Sequence, residues 1–355
     1  MNRHFELQLI KVLQIQSYSG RFRHMSRFIF KELESMGLSP YRDHVGNIYV
    51  VKGEAEIYPS MVCHIDTVHM YNPNYEVHQT KDKLFAIDTK DCNRLGIGGD
   101  DKVGIFITLQ MIKHYDNFKA AFFVDEEIGC VGSSQCDFTF FNDCSFVLEC
   151  DRKGNKDFVS KISWTKLYSD EFSEAIKPIL TKYGRQEVDG GMTDVLMIAE
   201  STEICVANMS CGYYLPHTDN EWVSISDVYN TYMMCMEFFD ELSTKLWRIN
   251  EQDRMSYIGG YGYGYSSYGT GGYLTNTNIK TFDDWKKENQ SIEVDDVFGD
   301  ELEDLGISFV GKMECFNCGY TSAVHDEFTN DIECSNCGSA MTMDEYLDIA
   351  YGEKH

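Results

Sequence analysis

The feature that most constrains the fold is a set of short apolar runs that end in carboxylates or a histidine. The runs MVCHID (61–66), AAFFVDE (120–126) and SFVLECD (145–151) have the length and composition of buried β-strands. A helical pattern near residues 103–115 lies between the first two runs. This alternation predicts an α/β fold with a mixed, mostly parallel sheet flanked by helices. Folds of this class place their functional sites beyond the carboxyl ends of the strands.

Helical patterns precede and follow the predicted sheet. Apolar residues recur at helical spacing in residues 5–16 and 25–36, which predicts two opening amphipathic helices. A longer pattern in residues 226–242 predicts a closing helix, so the first domain is expected to span residues 1–250. One face of the closing helix is expected to pack in the core: Val228, Tyr232, Met233, Met236, Phe239 and Leu242.

A linker is predicted over residues 251–310. Residues 257–273 are almost wholly Gly, Tyr and Ser, a composition that cannot bury much core. The acidic segment near residues 283–304 is interpreted as a solvated tether, with a docking tail for a protein partner as the alternative.

The cysteine-rich end predicts a structural metal site. Two C-x-x-C-G turns, with 15 residues between them, contain Cys315, Cys318, Cys334 and Cys337. Four thiolates at this spacing fit one tetrahedral zinc ion, so residues 311–355 are predicted to form a small zinc ribbon. Recognition of a protein partner or of nucleic acid is the alternative role, although the segment is not basic.

Charge and composition disfavour several classes of protein. A formal net charge of −26 opposes binding to phosphate backbones, which argues against nucleic acid as a partner. No stretch approaches the roughly 18 uninterrupted apolar residues of a membrane-spanning helix. The thirteen cysteines are an odd number and the first residues do not resemble a secretory leader, so we expect a reducing cytoplasm.

Two motifs near the first predicted strands carry groups suited to metal binding. In CHID, His64 and Asp66 alternate along a strand, so one can bind a metal ion while the other fixes the imidazole tautomer. A strand histidine with satisfied hydrogen bonds is the alternative, and His69 is a poorer ligand candidate. In GGDDK, a carboxylate of Asp100 or Asp101 can bridge two cations about 3.5–4 Å apart, or can cap the helix that follows.

Three further groups follow in order along the chain. Glu126 and Glu127 come after the apolar run AAFFV, where one can bind metal while its neighbour takes a proton from water. Surface charge alone is the alternative for this pair. Asp151 ends the SFVLECD run, and His217 lies in LPHTDNE.

In kind and order these motifs resemble those of the di-zinc exopeptidases that include peptidase T and related aminopeptidases and amidohydrolases. The resemblance covers about residues 1–245 and depends on HVGNIYV, CHIDTVH, GGDDKVG, VDEEIGCVGS, LECD, GGMTD and LPHTDN. It implies a fold with two catalytic zinc ions, with cobalt or manganese as alternatives, in addition to the structural zinc of the ribbon.

The resemblance also implies roles for individual residues. His64 and Asp151 would bind the first zinc ion, and Glu127 and His217 would bind the second. Asp100 would bridge both ions. Asp66 would orient His64, Glu126 would be the general base, and the peptide between Asp100 and Asp101 would be cis.

The activity that the resemblance implies is hydrolysis of small peptides, as an aminopeptidase. An N-acyl amino acid deacylase and a non-catalytic binding protein are the alternatives. Only 65 residues separate Asp151 from His217, which leaves no room for the lid domain that many relatives insert there. Any oxyanion donor that a lid supplies must come from elsewhere, and four residues are candidates: Tyr213, Tyr214, Lys166 and Arg185.

Overall fold

The structure, a computed structural model, describes residues 3–250 and three short strands within residues 323–342. The chain divides into two units, Met1–Asp283 and Asp284–His355. The described part of the first unit holds a nine-stranded and a five-stranded sheet, and that of the second holds a three-stranded sheet. No helix in the described part of the chain is long and apolar enough to cross a membrane.

Seven α-helices occur in the described part of the first unit. They are α1 (Arg3–Leu13), α2 (Arg23–Ser35), α3 (Gly99–His114), α4 (Val131–Ser134), α5 (Asp170–Lys182), α6 (Asp194–Ser201) and α7 (Ile225–Leu242). The strands of the large sheet are β1 (Tyr41–Arg42), β2 (Ile48–Lys52), β3 (Tyr58–His64), β7 (Phe118–Phe123), β8 (Cys144–Arg152), β9 (Asp157–Ile162), β10 (Thr165–Lys166), β11 (Gln186–Gly190) and β12 (Val206–Ser210). The small sheet has β4 (Tyr75–Thr80), β5 (Lys83–Asp88), β6 (Arg94–Leu95), β13 (Tyr213–Tyr214) and β14 (Trp222–Ser224).

The large sheet is parallel at its centre and mixed at its edges. Its order is β1-β2-β7-β3-β8-β12-β9-β10, and β11 also pairs with β9. The four central strands β7, β3, β8 and β12 are mutually parallel. β2 joins β7 antiparallel, and β9 joins β12 antiparallel. The predicted fold class, a mostly parallel sheet flanked by helices, is confirmed.

The central strands are apolar because they are buried on both faces. Every residue of β3 and of β7 is buried, and α3 packs against both strands and β8. The segment between Asp151 and His217 supplies β9, β10, β11 and β12, so it completes the large sheet. The short distance along the chain between Asp151 and His217 predicted that this segment forms no separate lid, and all four of these strands belong to the large sheet.

The predicted core face of α7 is partly wrong. Met234, Cys235 and Phe238 are buried, whereas Met233 and Met236 are only half-buried. α7 contacts both α3 and α5, and burial from two sides moves the core face around the helix. Val228, Phe239 and Leu242 are buried as predicted.

The small sheet was not predicted. Its longest strands, β4 and β5, are mostly half-buried or exposed, so their sequences YEVHQT and KLFAID lack the apolar runs of the central strands. Pairing of β5 with β14 joins residues more than a hundred positions apart in the chain. Such a pairing depends on tertiary contacts that local sequence does not encode.

The second unit contains three antiparallel strands: β15 (Ala323–Asp326), β16 (Asp331–Cys334) and β17 (Ala340–Thr342). The predicted linker, 251–310, lies outside the described residues. So do Cys315, Cys318 and Cys337 of the predicted ribbon, and for Cys334 the structure describes only its place at the end of β16.

Candidate metal centre

Three neighbouring parallel strands deliver the predicted site residues to one edge of the large sheet. His64 is the last residue of β3, and Asp151 is the next-to-last residue of β8, which pairs with it. Glu126 and Glu127 follow β7, the other neighbour of β3. Because the carboxyl ends of parallel strands meet at the same edge, residues far apart in sequence converge there.

A first group of donors surrounds the imidazole of His64, which is fully buried. Its Nε2 atom lies 3.2 Å from Asp100 Oδ1 and 3.7 Å from Asp151 Oδ1. Glu126 Oε2 is more distant, at 3.9 Å.

A second group surrounds His217. The Nε2 atom of this histidine lies 3.1 Å from Glu127 Oε2 and 3.4 Å from Asp100 Oδ2. Asp100 therefore presents Oδ1 to His64 and Oδ2 to His217. One carboxylate with an oxygen directed at each group is the arrangement that bridges a pair of metal ions.

The donor chemistry of both groups fits divalent cations. Imidazole and carboxylate are zinc ligands, and two sets of three side chains have donor atoms close enough to bind one ion. These sets are His64, Asp101 and Asp151, and His64, Asp100 and Glu127. Glu127 Oε1 is buried and makes no hydrogen bond. In the described part of the chain, the carboxylates of Asp100, Glu126, Glu127 and Asp151 form ion pairs only with His64 and His217. Packed carboxylates repel one another, and divalent cations bound among them would relieve that repulsion.

The pKa values of these groups are shifted by burial and by their charged neighbours. Burial raises the pKa of Glu126 to about 7, and burial together with the charge of Asp100 raises the pKa of Glu127 to about 8. Hydrogen bonding to Asp100 raises the pKa of His217 to about 9. Burial opposes ionisation of Asp100, but hydrogen bonds from His217 and His64 hold its pKa well below the usual range.

Asp66 links His64 to the loop that bears Glu126. The main-chain carbonyl of Asp66 lies 2.9 Å from His64 Nδ1, whereas its carboxylate Oδ1 is 3.6 Å away. The carboxylate accepts hydrogen bonds from the main-chain N–H of Glu126 (3.0 Å) and the hydroxyl of Ser19 (2.7 Å). Asp66 thus contacts His64 mainly through its main-chain carbonyl, and its carboxylate holds the main-chain N–H of Glu126.

The two aspartates of the GGDDK motif have different surroundings. The peptide between Asp100 and Asp101 is cis, as the resemblance implied. Asp100 and Asp101 have non-helical backbone angles at the start of α3. Asp101 Oδ1 accepts a hydrogen bond from the main-chain N–H of Gly104, so Asp101 caps the regular turns that follow, and Asp100 remains directed at the two histidines. Lys102 is buried and donates to the carbonyls of Leu13 and Ile97, which ties this segment to α1.

Glu221 is a buried residue of this centre that the sequence did not reveal. Its Oε1 accepts from the main-chain N–H of Asp100 (3.2 Å), and its Oε2 accepts from that of Gly98 (2.7 Å). His69 Nε2 lies 2.8 Å from the same Oε2 atom, so His69 contacts Glu221 and no predicted metal ligand. Glu221 is four residues after His217, so it joins the loop of His217 to the loop of Asp100.

Glu221→Gln should weaken metal binding without unfolding the chain. An amide nitrogen replaces one carboxylate oxygen of Glu221. The main-chain N–H of Asp100, or that of Gly98 together with the imidazole of His69, then loses its hydrogen-bond acceptor. Loss of a group that orients a ligand typically costs about 10–100-fold in metal affinity. Zinc titration with a competing chelator measures this, and the exposed Glu241→Gln is the matched control. Equal zinc affinity in both variants would contradict the role of Glu221.

Asp151 is held by a network of buried polar groups. Tyr213 donates its hydroxyl hydrogen to Asp151 Oδ1 at 3.0 Å, and Thr193 Oγ1 lies 3.2 Å from Oδ2. Thr193 also donates to Glu149, which is fully buried. Tyr213 thus orients the carboxylate of Asp151, and the Thr193 hydroxyl, which donates to Glu149, lies beside it.

The oxyanion candidates differ in where they lie. Tyr213 reaches the centre through Asp151. Tyr214 donates to Asp227, Lys166 is paired with Asp170, and Arg185 donates to the carbonyl of Ser210. Of the four, Tyr213 is therefore the residue in contact with a predicted metal ligand.

Comparisons with known proteins find similar folds among solved structures. Neither family models nor curated proteins match the sequence. Among solved structures, aminopeptidase PepT from Bacillus cereus matches with a TM-score of 0.57 at 14% identity, over 69% of this chain and 100% of that one. A tripeptidase from Staphylococcus aureus matches with a TM-score of 0.55 at 13% identity, over 68% and 98% of the two chains. An aminopeptidase from the archaeon Desulfurococcus kamchatkensis matches at 0.51 and 14% identity, over 73% and 98%.

The described part of the first unit therefore has the fold of these peptidases, aminopeptidase PepT among them. At 13–14% identity the similarity is one of fold, and function must be argued from the site itself.

Proposed function

We propose that the chain is a metal-dependent aminopeptidase that cleaves small peptides. The observation that carries this proposal is the position of Asp100, whose two oxygens lie 3.2 Å from His64 Nε2 and 3.4 Å from His217 Nε2. Together with Asp151 and Glu127, these residues supply the donors for two divalent cations. Zinc is the expected metal, with cobalt or manganese as alternatives.

Two ions at such a centre lower the pKa of a water molecule and polarise an amide carbonyl. Glu126 is the proposed acceptor of that water's proton. Its Oε2 atom borders the centre and, at 3.9 Å, is the most distant of the carboxylate atoms around His64 Nε2, which supports this role. The same carboxyl can then protonate the leaving amine. The carboxylate of Asp66 holds Glu126 in position by accepting a hydrogen bond from the main-chain N–H of Glu126.

The charge of the centre favours a free amino terminus over an acylated one. Six carboxylates lie at the centre, so two divalent cations would leave negative charge uncompensated: Asp66, Asp100, Glu126, Glu127, Asp151 and Glu221. An N-acyl amino acid would place its own carboxylate near this negative charge. A peptide would instead present its positively charged α-amino group, which the centre attracts.

Metal content and substrate preference test the proposal together. We expect the purified chain to hold about three zinc ions, two at the centre and one in the ribbon, and to cleave Leu-Gly-Gly but not its N-acetyl form. Asp100→Asn should lose the two ions of the centre and the activity while keeping the ribbon ion. A zinc-loaded centre that cleaves no peptide, or cleaves only the acetylated one, would overturn the proposal.

A further inference from the structure

The short turn between α1 and α2 contacts two of the loops at the metal centre. Tyr18 and Arg21 face each other across this turn, and the main-chain N–H of each donates to the carbonyl of the other, at 3.4 and 2.7 Å. Ser19 and Gly20 are therefore its central residues, and Gly20 has a φ of 75°, which favours glycine at this position. We call residues 17–21 the α1–α2 turn.

The α1–α2 turn binds the loop that follows β3. Ser19 donates its hydroxyl hydrogen to Asp66 Oδ2 at 2.7 Å, and its main-chain N–H donates to the carbonyl of Thr67 at 3.3 Å. The Thr67 hydroxyl donates in return to the carbonyl of Ser17. Asp66 and Thr67 are buried and Ser19 is half-buried, so competition from water at these hydrogen bonds is reduced.

The α1–α2 turn also binds the loop that follows β7. The main-chain N–H of Gly20 donates to Asp125 Oδ1 at 2.7 Å. Asp125 directly precedes Glu126 and has a φ of 55°, in the left-handed region that residues other than glycine adopt rarely. Such a conformation persists where surrounding contacts hold it. The hydrogen bond from Gly20 is one of the contacts that hold the backbone before Glu126.

Both sets of contacts converge on the main-chain nitrogen of Glu126. Asp66 divides its carboxylate between two partners, because Oδ2 accepts from Ser19 and Oδ1 accepts from the N–H of Glu126 at 3.0 Å. Asp125, which Gly20 holds, is joined to the same nitrogen by its peptide bond. Precise placement matters for a catalytic group, since a displacement of about 1 Å can cost about a hundredfold in rate.

We propose that Ser19 is a positioning residue for the general base Glu126. Its hydroxyl holds the Asp66 carboxylate in the orientation that places Glu126 for proton transfer. This inference rests on the proposed peptidase function. Asp66 contacts His64 through its main-chain carbonyl, which a substitution of Ser19 leaves in place. Loss of the Ser19 hydroxyl should therefore slow the chemical step and preserve metal binding.

Steady-state kinetics of the zinc-loaded full chain test this role. Ser19→Ala should lower kcat for Leu-Gly-Gly by about 10–100-fold, with KM and zinc content unchanged. Ser19→Thr should retain most of the wild-type kcat, because threonine supplies the same hydroxyl group. Ser173→Ala is the matched control: Ser173 is half-buried on α5, and its hydroxyl donates to the carboxylate of Glu187 at 2.9 Å, away from the centre.

Amide hydrogen exchange of the metal-free chain tests the contacts without catalysis. Asp66 protects the N–H of Glu126, so the segment 124–132 should exchange faster in Ser19→Ala than in the wild type or in Ser19→Thr. Thermal unfolding shows whether each variant is folded. If Ser19→Ala does not fold, Ser19→Cys replaces it: the thiol is of similar size and is a weaker donor, so kcat should again fall.

Each outcome has a defined meaning. A loss of kcat alone in Ser19→Ala, recovered in Ser19→Thr and absent in Ser173→Ala, supports the role of Ser19. A normal kcat in Ser19→Ala overturns that role and leaves the peptidase function intact. A parallel loss of zinc, an equal loss of kcat in Ser19→Thr or unchanged hydrogen exchange also overturns it. A zinc-loaded wild type that cleaves no peptide overturns the peptidase function, and the catalytic role of Ser19 with it.

Discussion

Glu126→Gln is expected to lower kcat by about two to four orders of magnitude while the zinc content stays unchanged. The amide has nearly the shape of the carboxyl group but cannot accept the proton of the attacking water. The local fold should persist, because the hydrogen bond to Asp66 comes from the main-chain N–H of Glu126. Steady-state kinetics with Leu-Gly-Gly and metal analysis of the same sample measure both quantities.

The neighbouring glutamate provides the contrast for this experiment. Glu127 Oε2 lies 3.1 Å from His217 Nε2, so Glu127→Gln should lower metal affinity and activity together. Added zinc should restore part of the activity of Glu127→Gln and none of that of Glu126→Gln. Normal turnover by Glu126→Gln would remove Glu126 from the role of general base, and zinc loss in that variant would make it a ligand instead.

The central strands and their ends could be predicted because burial and function leave local signals. A strand buried on both faces is apolar along its length. A histidine or carboxylate directly after such a run therefore stands out in the sequence as a candidate site residue. His64, Glu126 and Asp151 follow this rule. Asp100 lies beside two glycines in a motif whose order along the chain resembles that of a known family, so its place could also be expected.

Residues that act through long-range contacts left no such signal. Glu221 lies in an exposed-looking stretch of loop, and its role depends on hydrogen bonds to Gly98 and Asp100, which are 123 and 121 positions away. Asp194 begins α6 and is fully buried, yet its sequence reads as an ordinary helix start. The core face of α7 was predicted incorrectly for the same reason. The sequence of this helix alone does not show that both α3 and α5 pack against it.

The stability of the metal-free chain should fall as the pH rises from 5 to 8. Burial raises the pKa of Glu126 and of Asp194 to about 7, and that of Glu127 to about 8. In this pH range the folded chain holds protons that the unfolded chain, with pKa values near 4, has released, so a higher pH favours unfolding. His217 acts in the same direction, because its pKa is raised to about 9. The lowered pKa values of Asp66 and Asp100 affect stability only in more acidic solution.

The size of the effect and its reversal by metal make the prediction specific. One pKa unit corresponds to about 1.4 kcal/mol, so the coupled carboxyl groups should together cost a few kcal/mol, or roughly 10 °C in Tm for a domain of this size. Thermal unfolding with chelator should show this decrease, whereas saturating zinc should remove or reverse it, since metal binding requires deprotonated ligands. Glu127→Gln should flatten the chelated profile and the exposed Glu241→Gln should not. A chelated Tm that stays constant or rises between pH 5 and 8 would mean that the carboxylates are not crowded together, and the argument for two cations at this centre would lose its electrostatic basis.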